Sequence, residues 1–432
     1  MNPEIQKRIE QIQKGYIPEG YKKTKIGIVS GEWDKYKFVN LFSAVSEFTV
    51  DTETYPLHSL TIENGVIPKS ERYERGFLVQ KTENTYKIVR ENQFVYNPMN
   101  LRFGAIARYK GTHPISVSGY YDVFSCKDRK HIIFMDYFLK SDKLINFYNR
   151  MATGSLVEKQ RVHFSQFLDF ELRLPSTNEC EKIAEILSTW NKAIELKDGL
   201  IFAKKQQKKW LMHNLLIGKW HEVQMGDVFE FEGGFSASRN ELNSDEGICY
   251  LHYGDIHKSN KLYIDVRAEY SCLPKLIISV NKLNSKCLLC DGDVVFADAS
   301  EDYEGICKYV VVKNKENIPF IAGLHTIIAR PKNDSISDDF KLHCFGTSNV
   351  KKQFAIHANG ISVYGISKNS IAKILIPCPP LPEQTAIANI LSTADHEIDL
   401  HEKQLEELKK QKKALMQLLL TGIVRVNAEK VI

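Results

Sequence analysis

Two groups of side chains in this sequence carry the hydrogen-bonding chemistry that reads nucleobases and holds phosphates. In the first half, asparagine, arginine and lysine lie among tyrosines, and the candidates are Asn97, Asn100, Arg102, Arg108 and Lys110. In the second half the candidates are Ser236, Ser238, Arg239, His257, Lys258 and Lys308. Asparagine pairs bidentately with adenine, arginine pairs with guanine, and lysine grips phosphates. The two groups predict two nucleic-acid contact surfaces. For each residue, a solvated loop position or a turn is the open alternative.

Other polar groups suit structural roles better. Asp298, Ser300, Glu301 and Asp302 are able to accept from the amino group of cytosine, but a turn is the favoured interpretation of this segment. Cys287 and Cys290 have the spacing of zinc ligands, yet no second pair accompanies them. No metal site is therefore predicted.

The reactive groups of an enzyme are not recognisable in this sequence. An adenine methyltransferase would show an Asn/Asp-Pro-Pro-aromatic loop, whereas Asn97-Pro98-Met99 lacks the second proline and the aromatic residue. A phosphate-binding loop of the type Gly-x-x-x-x-Gly-Lys-Ser/Thr does not occur. Glu-x-Lys, part of a common nuclease motif, occurs at 195–197 and 407–409, where solvated helix charge is the expected role. The sequence predicts a non-catalytic chain without a cofactor of its own.

A long repeat supplies the elements that position these residues. The segment 183–219 aligns with 387–423 without a gap. Each copy has helix start and stop signals: a capping box from Ser176 to Glu179 or proline and glutamate at 382 and 383, then Gly218 or Gly422 at the end. Two long helices are therefore predicted, at 176–218 and, followed by a tail, at 381–432.

Apolar residues in both helices recur with the four-three spacing of a helix-pairing seam. The predicted pairing residues are Ile183, Leu187, Ile194, Leu211 and Leu215 in the first helix and Ile387, Leu391, Ile398, Leu405, Leu408, Leu415 and Leu419 in the second. Lysines interrupt the seam at 197, 204, 208 and 412, and His401 interrupts it once more. We expect the helices to pair with each other, and the alternative is that each packs on its own domain.

A second repeat opens the regions between the helices, since Gly31-Glu32-Trp33 matches Gly218-Lys219-Trp220. The predicted order is an N-terminal segment at 1–24, a globular region at 25–175, the central helix at 176–218, a second globular region at 219–380 and the last helix with its tail at 381–432. Short β-rich runs between turn signals lie in both globular regions. The predicted fold class is α/β (α+β).

Length and composition agree with this order. A chain of 432 residues usually forms more than one domain. No apolar run is long enough to cross a membrane, and the start has no signal-peptide core, so we expect a cytoplasmic protein. Nine scattered cysteines fit reduced thiols there. The net charge of +5 permits a polyanionic partner without requiring one.

Several motifs, taken in their order, carry a resemblance to a known family. The first half contains YIPEGYKKTKIG at 16–27, FVYNPMNLRFGAI at 94–106 and VSGYYDVF at 117–124. The second half contains YGDI at 253–256, GDVVFADASED at 292–302, GLHT at 323–326 and PPLPEQ at 379–384. With these motifs the chain resembles the specificity subunit of type I DNA restriction-modification systems. It departs from the family at 175–180, where PSTNEC replaces the favoured Pro-Pro-Leu-x-Glu-Gln.

The resemblance implies a fold and a function. It implies two target recognition domains that each read one part of a bipartite, asymmetric DNA sequence, and two helices in an antiparallel coiled coil with a pseudo-twofold arrangement. The implied partners are double-stranded DNA, two methylation subunits and restriction subunits, and no membrane. S-adenosylmethionine, ATP and magnesium are expected on the partner subunits. The alternatives are a stand-alone methyltransferase or nuclease with an unrecognised motif, and a helical scaffold that does not bind DNA.

Overall fold

The computed structural model describes residues 2–69, 85–156, 160–218, 220–279, 283–303 and 305–426. Residues of several predicted segments lie outside the described residues, namely 1, 70–84, 157–159, 219, 280–282, 304 and 427–432, and the predicted repeat at 218–220 falls partly on them. The chain mixes helix and sheet, as predicted, and contains two long helices. It divides into two compact units, Met1–Lys197 with Gln404–Ile432, and Asp198–Lys403. Of the described helices, none is both long and apolar enough for a membrane span.

Each long helix contributes one part to each unit. The central helix, α6, runs over Thr177–Leu216, and the last helix, α12, runs over Leu381–Leu419. The first unit contains the start of α6 and the end of α12, and the second unit contains the end of α6 and the start of α12.

The first unit contains five short helices and thirteen strands among its described residues. The helices are α1 (Pro3–Gln13), α2 (Phe38–Leu41), α3 (Ile132–Phe138), α4 (Asp142–Met151) and α5 (Phe164–Leu168). The strands are β1 (Tyr21–Thr24), β2 (Gly27–Ser30), β3 (Asp34–Lys37), β4 (Phe42–Val45), β5 (Phe48–Thr49), β6 (His58–Thr61), β7 (Gly65–Pro68), β8 (Tyr86–Val89), β9 (Phe94–Tyr96), β10 (Ile106–Arg108), β11 (Ile115–Ser118), β12 (Asp122–Cys126) and β13 (Glu171–Leu174). They form sheets in the orders β10-β9-β12-β4 and β11-β8-β5 and the pairs β1-β2, β6-β7 and β13-β3.

The second unit contains five further short helices and thirteen further strands among its described residues. The helices are α7 (Met225–Val228), α8 (Tyr253–Lys258), α9 (Asp338–Cys344), α10 (Ser348–His357) and α11 (Lys368–Ile371). The strands are β14 (Glu222–Gln224), β15 (Phe229–Gly233), β16 (Leu242–Asn243), β17 (Ile248–Leu251), β18 (Tyr263–Asp265), β19 (Lys275–Leu276), β20 (Val294–Ala297), β21 (Ala299–Ser300), β22 (Tyr309–Lys313), β23 (Phe320–Ala322), β24 (Thr326–Pro331), β25 (Tyr364–Gly365) and β26 (Leu375–Pro377). They form sheets in the orders β15-β24-β20-β22-β18 and β16-β19-β17-β23 and the pairs β14-β26 and β21-β25.

The two globular regions are closed in the same way. In the first unit β3, which follows Trp33, pairs antiparallel with β13, the strand that leads into α6. In the second unit β14, which follows Trp220, pairs antiparallel with β26, the strand that leads into α12. Because a strand near the start of each region hydrogen-bonds to its last strand, each region begins and ends close to one place beside a long helix.

The predicted pairing residues are buried or half-buried in both units. The first unit has an aromatic-rich core in which Phe38, Phe124 and Phe167 pack with residues of both long helices, namely Ile183, Leu187, Leu415 and Leu419. In the second unit the core receives Leu211, Leu215, Ile387 and Leu391. Ile398 and Leu405 are buried, and Ile194 and Leu408 are half-buried. Burial of these apolar side chains against the strands and short helices stabilises each unit.

The lysines that interrupt the seam bond to the other long helix. In the second unit Lys204 Nζ lies 2.8 Å from Glu397 Oε1, and Lys208 Nζ lies 2.5 Å from Asp395 Oδ1. In the first unit Lys197 donates to Gln404 Oε1, and Lys412 Nζ donates to Asn191 Oδ1 at 2.5 Å. As residue numbers rise along α6, those of its partners fall along α12. The two helices therefore run in opposite directions within each unit.

A polar contact between a short helix and both long helices recurs in the two units, and we call it the helix junction. In the first unit it comprises Tyr137, Ser188, Asn191 and Lys412: the Tyr137 hydroxyl lies 3.3 Å from Ser188 Oγ and accepts from Asn191 Nδ2 at 2.6 Å. In the second unit it comprises His343, Ser392, Asp395 and Lys208: His343 Nε2 lies 3.0 Å from Ser392 Oγ and its Nδ1 lies 3.9 Å from Asp395 Oδ2.

The helix residues of the junction occupy equivalent positions in the sequence repeat. Ser188, Asn191 and Lys208 align with Ser392, Asp395 and Lys412. Burial and the neighbouring Lys208 charge together lower the pKa of His343 to about 3, so this imidazole is neutral at neutral pH. Burial likewise lowers the pKa of Lys412. Polar groups at seam positions favour one register over others, because a shifted register would leave them without partners.

The last described residues close the first unit. Arg425 makes two parallel bonds to the buried Glu179 carboxylate, Nε to Oε1 at 2.7 Å and Nη2 to Oε2 at 2.9 Å. The Tyr21 hydroxyl donates to the Gly422 carbonyl at 2.9 Å. Gly422 has a φ of 68°, and a Cβ there would lie 2.8 Å from Ser30 Cβ. Only glycine fits this turn without displacing a neighbour.

The helix junction makes a prediction about stability. Asp395→Ala should lower the free energy of unfolding by about 1–3 kcal/mol, because Lys208 would keep its charge in a shielded site without the carboxylate. Combining Lys208→Met with Asp395→Leu should recover most of that loss, since a packed apolar pair replaces the ion pair. Urea unfolding followed by circular dichroism measures both.

A matched control is Asp399→Ala, which removes an exposed ion pair with Lys403 on the same helix. Its effect should stay below about 0.5 kcal/mol. Equal losses for Asp395→Ala and Asp399→Ala would contradict a stabilising role for the junction.

Candidate nucleic-acid interface

The turn between β9 and β10 carries three of the predicted contact residues in the first unit. Asn97 Oδ1 accepts from the Met99 amide at 3.0 Å, so this side chain holds the turn. Arg102 lies 4.5 Å from the centre of the exposed Phe103 ring and donates to Gln160 Oε1 at 3.0 Å. Asn100 is exposed. The turn therefore presents an amide and an arginine supported by an aromatic ring.

Arg108 and Lys110 lie at the other end of the same hairpin, because Arg108 pairs with Phe94 while Ile106 pairs with Tyr96. Both side chains approach the buried Asp136 carboxylate, Arg108 Nε at 3.2 Å and Lys110 Nζ at 3.7 Å, and Lys140 Nζ lies 3.1 Å away. Burial opposes ionisation of Asp136, but Lys140, Lys110 and Arg108 together lower its pKa. Three cations on one carboxylate leave a net positive patch.

The structure thus divides the predicted first group between the two ends of a hairpin. The tyrosines that alternate with it in sequence belong to the core. Tyr96 is fully buried, and its hydroxyl donates to the Val162 carbonyl. Tyr109 is also buried, and its hydroxyl donates to the His113 carbonyl. Neither ring is available for stacking on a base.

In the second unit four predicted residues gather around α8. Arg239 Nη2 lies 2.9 Å from Asp255 Oδ1, and Lys258 is exposed on the last turn of the helix. His257 Nε2 lies 2.9 Å from the Ala299 carbonyl, and Lys308 Nζ donates to the His257 carbonyl at 2.7 Å. The cation of Lys308 is therefore placed at the negative end of a helix.

The remaining two residues of this group lie on the loop before β16. Ser236 is exposed, and Ser238 caps the 3₁₀ turn Arg239–Glu241 by a reciprocal bond with Glu241. Ser238 thus has a structural role, like Asn97 in the first unit.

The Tyr250 hydroxyl connects this loop to a second one. It donates to the Phe235 carbonyl at 2.7 Å and accepts from the Leu324 amide at 2.7 Å and the Ala237 amide at 3.2 Å. The backbones of the two loops approach so closely that a Cβ on Gly234 would lie 1.8 Å from the Gly323 carbonyl oxygen. One buried hydroxyl therefore sets the separation of two polar loops.

His325 and Tyr253 belong to the same surface and were not among the predicted contacts. His325 has a φ of 56° and its Nδ1 lies 3.3 Å from Asp298 Oδ1, and its ring lies 5.4 Å from that of Tyr253. Burial raises the pKa of Asp298, whereas His325 lowers it. The motifs GLHT and YGDI contain these residues, but no spacing in the sequence indicates that they meet.

The acidic segment after β20 forms a turn, as interpreted from the sequence. Asp302 Oδ1 accepts from the Gly305 amide at 2.6 Å, and Ser300 Oγ accepts from the Asp302 amide at 3.3 Å. Cys287 is buried and its thiol donates to the Asn284 carbonyl. In the part of the chain that the structure describes, no cluster of histidine, cysteine and carboxylate side chains could hold a metal ion.

Comparison with known proteins shows which family this chain resembles. Residues 217–410 match the family model described as "Type I restriction modification DNA specificity domain". A relative from Methanocaldococcus jannaschii named "Putative type I restriction enzyme MjaX specificity subunit" is 24% identical over 95% of this chain and 98% of its own. Residues 217–410 therefore carry the specificity domain of this family, and the chain is similar to a type I specificity subunit along nearly its whole length.

Further similarities extend along the chain. The type I restriction enzyme MjaVIII specificity subunit of the same organism is 26% identical over 66% of this chain and 71% of its own. The crystal structure of the S subunit of a type I restriction-modification system from M. genitalium superposes with a TM-score of 0.51 at 15% identity, covering 90% of this chain and 96% of that one. A structure reported for assembly and conformational transition of the type I R-M system gives a TM-score of 0.56 at 15% identity, covering 92% and 99%. These two structures show that the specificity-subunit fold is shared.

Tyr250→Phe should loosen the two loops that the hydroxyl joins. The Leu324 amide and the Phe235 carbonyl would lose a partner, which costs about 1–3 kcal/mol for a buried group. Amide hydrogen exchange should become faster at 235–239 and 323–326, and the melting temperature should fall slightly.

Tyr309→Phe serves as the control, because its hydroxyl bonds the Leu342 carbonyl elsewhere in the same unit. Exchange in the two loops should stay unchanged in that variant. If both variants accelerate exchange in the loops to the same extent, Tyr250 has no special role in joining them.

Proposed function

We propose that each unit of this specificity subunit reads one half of a bipartite, asymmetric DNA sequence. The matches to type I specificity subunits support a non-catalytic specificity subunit of a type I restriction-modification system, which is the function predicted from the sequence. The observation that carries the finer proposal is duplication: each unit combines a closed globular region, polar loops with neighbouring cations and the same helix junction. A chain built twice in this way suits a site with two separate halves.

The globular regions at 25–175 and 219–380 would act as the two target recognition domains. Support comes from the pairing of a strand near the start of each region with its last strand, which lets the loops between them differ without altering the junction with the helices. Three further segments complete this division of the chain: an N-terminal segment at 1–24, the central helix at 176–218, and the last helix with its tail at 381–432.

The two long helices would form one antiparallel coiled coil in a pseudo-twofold arrangement that fixes the distance between the half-sites. The opposite chain directions of α6 and α12 within each unit support this. A helix of 40 residues is about 60 Å long, and B-DNA rises about 3.4 Å per base pair. Such a helix suits two half-sites with an unread spacer.

Base reading would come from the exposed side chains and positioning from the others. In the first unit Asn100 is exposed and Arg102 is partly exposed at the hairpin turn, while Asn97 holds that turn. Arg108 and Lys110 would supply positive charge for phosphates. In the second unit the proposed contacts are Ser236, Arg239, His257, Lys258 and Lys308, with Ser238 supporting the loop.

The proposed partners are double-stranded DNA, two methylation subunits and restriction subunits. S-adenosylmethionine, ATP and magnesium would bind those subunits rather than this chain. The similarity to a structure reported for complex assembly of the type I R-M system supports a role in such an assembly through the shared fold. A cytoplasmic location would give the chain access to DNA.

Exchange of one globular region tests whether each region reads its own half of the DNA sequence. Replacing residues 25–175 with the equivalent region of a relative should change one half of the sequence methylated in the host and leave the other half unchanged. Each region would read its half with its own loops, and sequencing of methylated adenines measures the outcome. A change in both halves at once would refute independent reading.

The exposed apolar residues of the long helices predict a docking surface for a helical methylation subunit. In the second unit Leu200 and Leu400 are 39% and 43% exposed, in the first unit Leu196 is 65% exposed, and Leu418 is half-buried. Leu200→Glu with Leu400→Glu should abolish co-purification with the methylation subunit while the circular dichroism spectrum stays unchanged.

Ile361→Glu is the matched control, since Ile361 is 95% exposed and lies outside both helices. Co-purification should persist in this variant. Retention of the methylation subunit by the doubly charged helix variant would exclude this face as the docking surface.

A further inference from the structure

A cleft of about 1060 Å³ opens on the second unit and is not assigned by the family match. Its walls come from α8, the turn after β21, α9, α10 and the second half of α6, all of which belong to this unit. The floor is apolar and partly aromatic, with Met212, Tyr309, Phe345 and Phe354. The volume is that of a site for a ligand of nucleotide size or larger.

The charge on the cleft walls is positive. Among the described residues, five lysines line it against two acidic residues, Glu301 and Asp302. Asp302 is engaged by the Gly305 amide within its own turn. A cleft with walls of one charge and low-dielectric surroundings concentrates ligands of the opposite charge.

Three of the five lysines keep their charge unneutralised. Lys208 pairs with Asp395 and Lys261 pairs with Glu269, but no carboxylate in the described part of the chain forms an ion pair with Lys258, Lys308 or Lys351. Burial lowers the pKa of Lys308, and the neighbouring charge of Lys351 lowers it further. An anion between Lys308 and Lys351 would remove this repulsion.

The position of Lys308 is fixed before any ligand binds. Its Nζ donates to the His257 carbonyl at the end of α8, and one carbonyl leaves further hydrogens of the ammonium group available. Lys351, by contrast, is exposed on α10. The cleft thus offers one anchored and one exposed ammonium group.

We propose that this cleft binds a phosphate ester, with Lys308 and Lys351 as its ligands, and that the ester is a backbone phosphodiester of the bound DNA. This inference rests on the proposed function, because it takes DNA as the occupant. Lysine is a point-charge ligand for phosphate and carries no base preference. The cleft therefore anchors the strand, while the loops joined by Tyr250 read bases.

Binding of the full-length chain to duplex DNA tests the assignment. Fluorescence anisotropy would be measured across a series of salt concentrations, with a duplex that contains the recognition sequence and a scrambled duplex. For Lys351→Gln and for Lys308→Gln we expect weaker binding by the same factor on both duplexes. Each substitution should also lower the magnitude of the slope of log affinity against log salt by about 1, because one fewer phosphate is neutralised.

Lys352→Gln is the matched control. Lys352 is exposed on the same helix next to Lys351 but does not line the cleft. It should leave the slope unchanged. If the wild-type chain binds the recognition duplex preferentially but Lys308→Gln and Lys351→Gln retain its affinity and slope, the cleft inference is wrong and the proposed function stands. If the wild-type chain shows no preference between the duplexes, the proposed function itself fails.

A free nucleotide is the other possible source of a phosphate ester for this cleft. Isothermal titration of the wild-type chain with ATP, AMP and inorganic phosphate separates the sources. We expect no saturable binding at micromolar concentration. Nucleotide binding that disappears in Lys308→Gln, together with unchanged DNA binding, would overturn the assignment to the DNA backbone. Circular dichroism of each variant shows whether it remains folded.

Discussion

The structure depends on keeping one lysine per unit bonded to the opposite long helix. Lys208 needs the Asp395 carboxylate, and Lys412 needs the Asn191 amide oxygen. A shift of register between the helices would separate these partners in a shielded site, where an unpaired charge is costly. Because His343 and Tyr137 contact the same helix residues, the junction also fixes where each globular region meets the helices.

The two junctions use different chemistry at equivalent positions. The second unit pairs a charged lysine with a carboxylate and keeps a neutral histidine beside it, since burial holds the pKa of His343 at about 3. The first unit replaces the carboxylate with an amide and the histidine with a tyrosine, whose hydroxyl accepts from that amide. The helix positions are the same in both, so the scaffold is duplicated although its hydrogen bonds are not. Loops attached to such a scaffold are free to diverge, which suits two halves that read different sequences.

The candidate contact residues show why residue type alone does not assign roles. The side chains of Asn97 and Ser238 have the hydrogen-bonding groups of a base contact, but each accepts from a backbone amide of its own turn. Arg108 lies close to Asn97 in sequence, but antiparallel pairing of β9 with β10 places them at opposite ends of the hairpin. Around α8 the opposite occurs, because Lys308 lies far from His257 in sequence and bonds its carbonyl.

The sequence by itself determined the long helices, their interrupted seam and the duplication, because these are written in local signals: capping residues, a heptad spacing and a gapless repeat. The family motifs were equally local. Tertiary structure alone decided what the seam lysines bond, which loops Tyr250 joins and which lysines face the cleft. Those answers depend on strand pairing and on side chains brought together from distant segments, and neither leaves a periodic trace in the sequence. Spacing along a chain predicts neighbours within one helix or strand, but only packing determines neighbours between them.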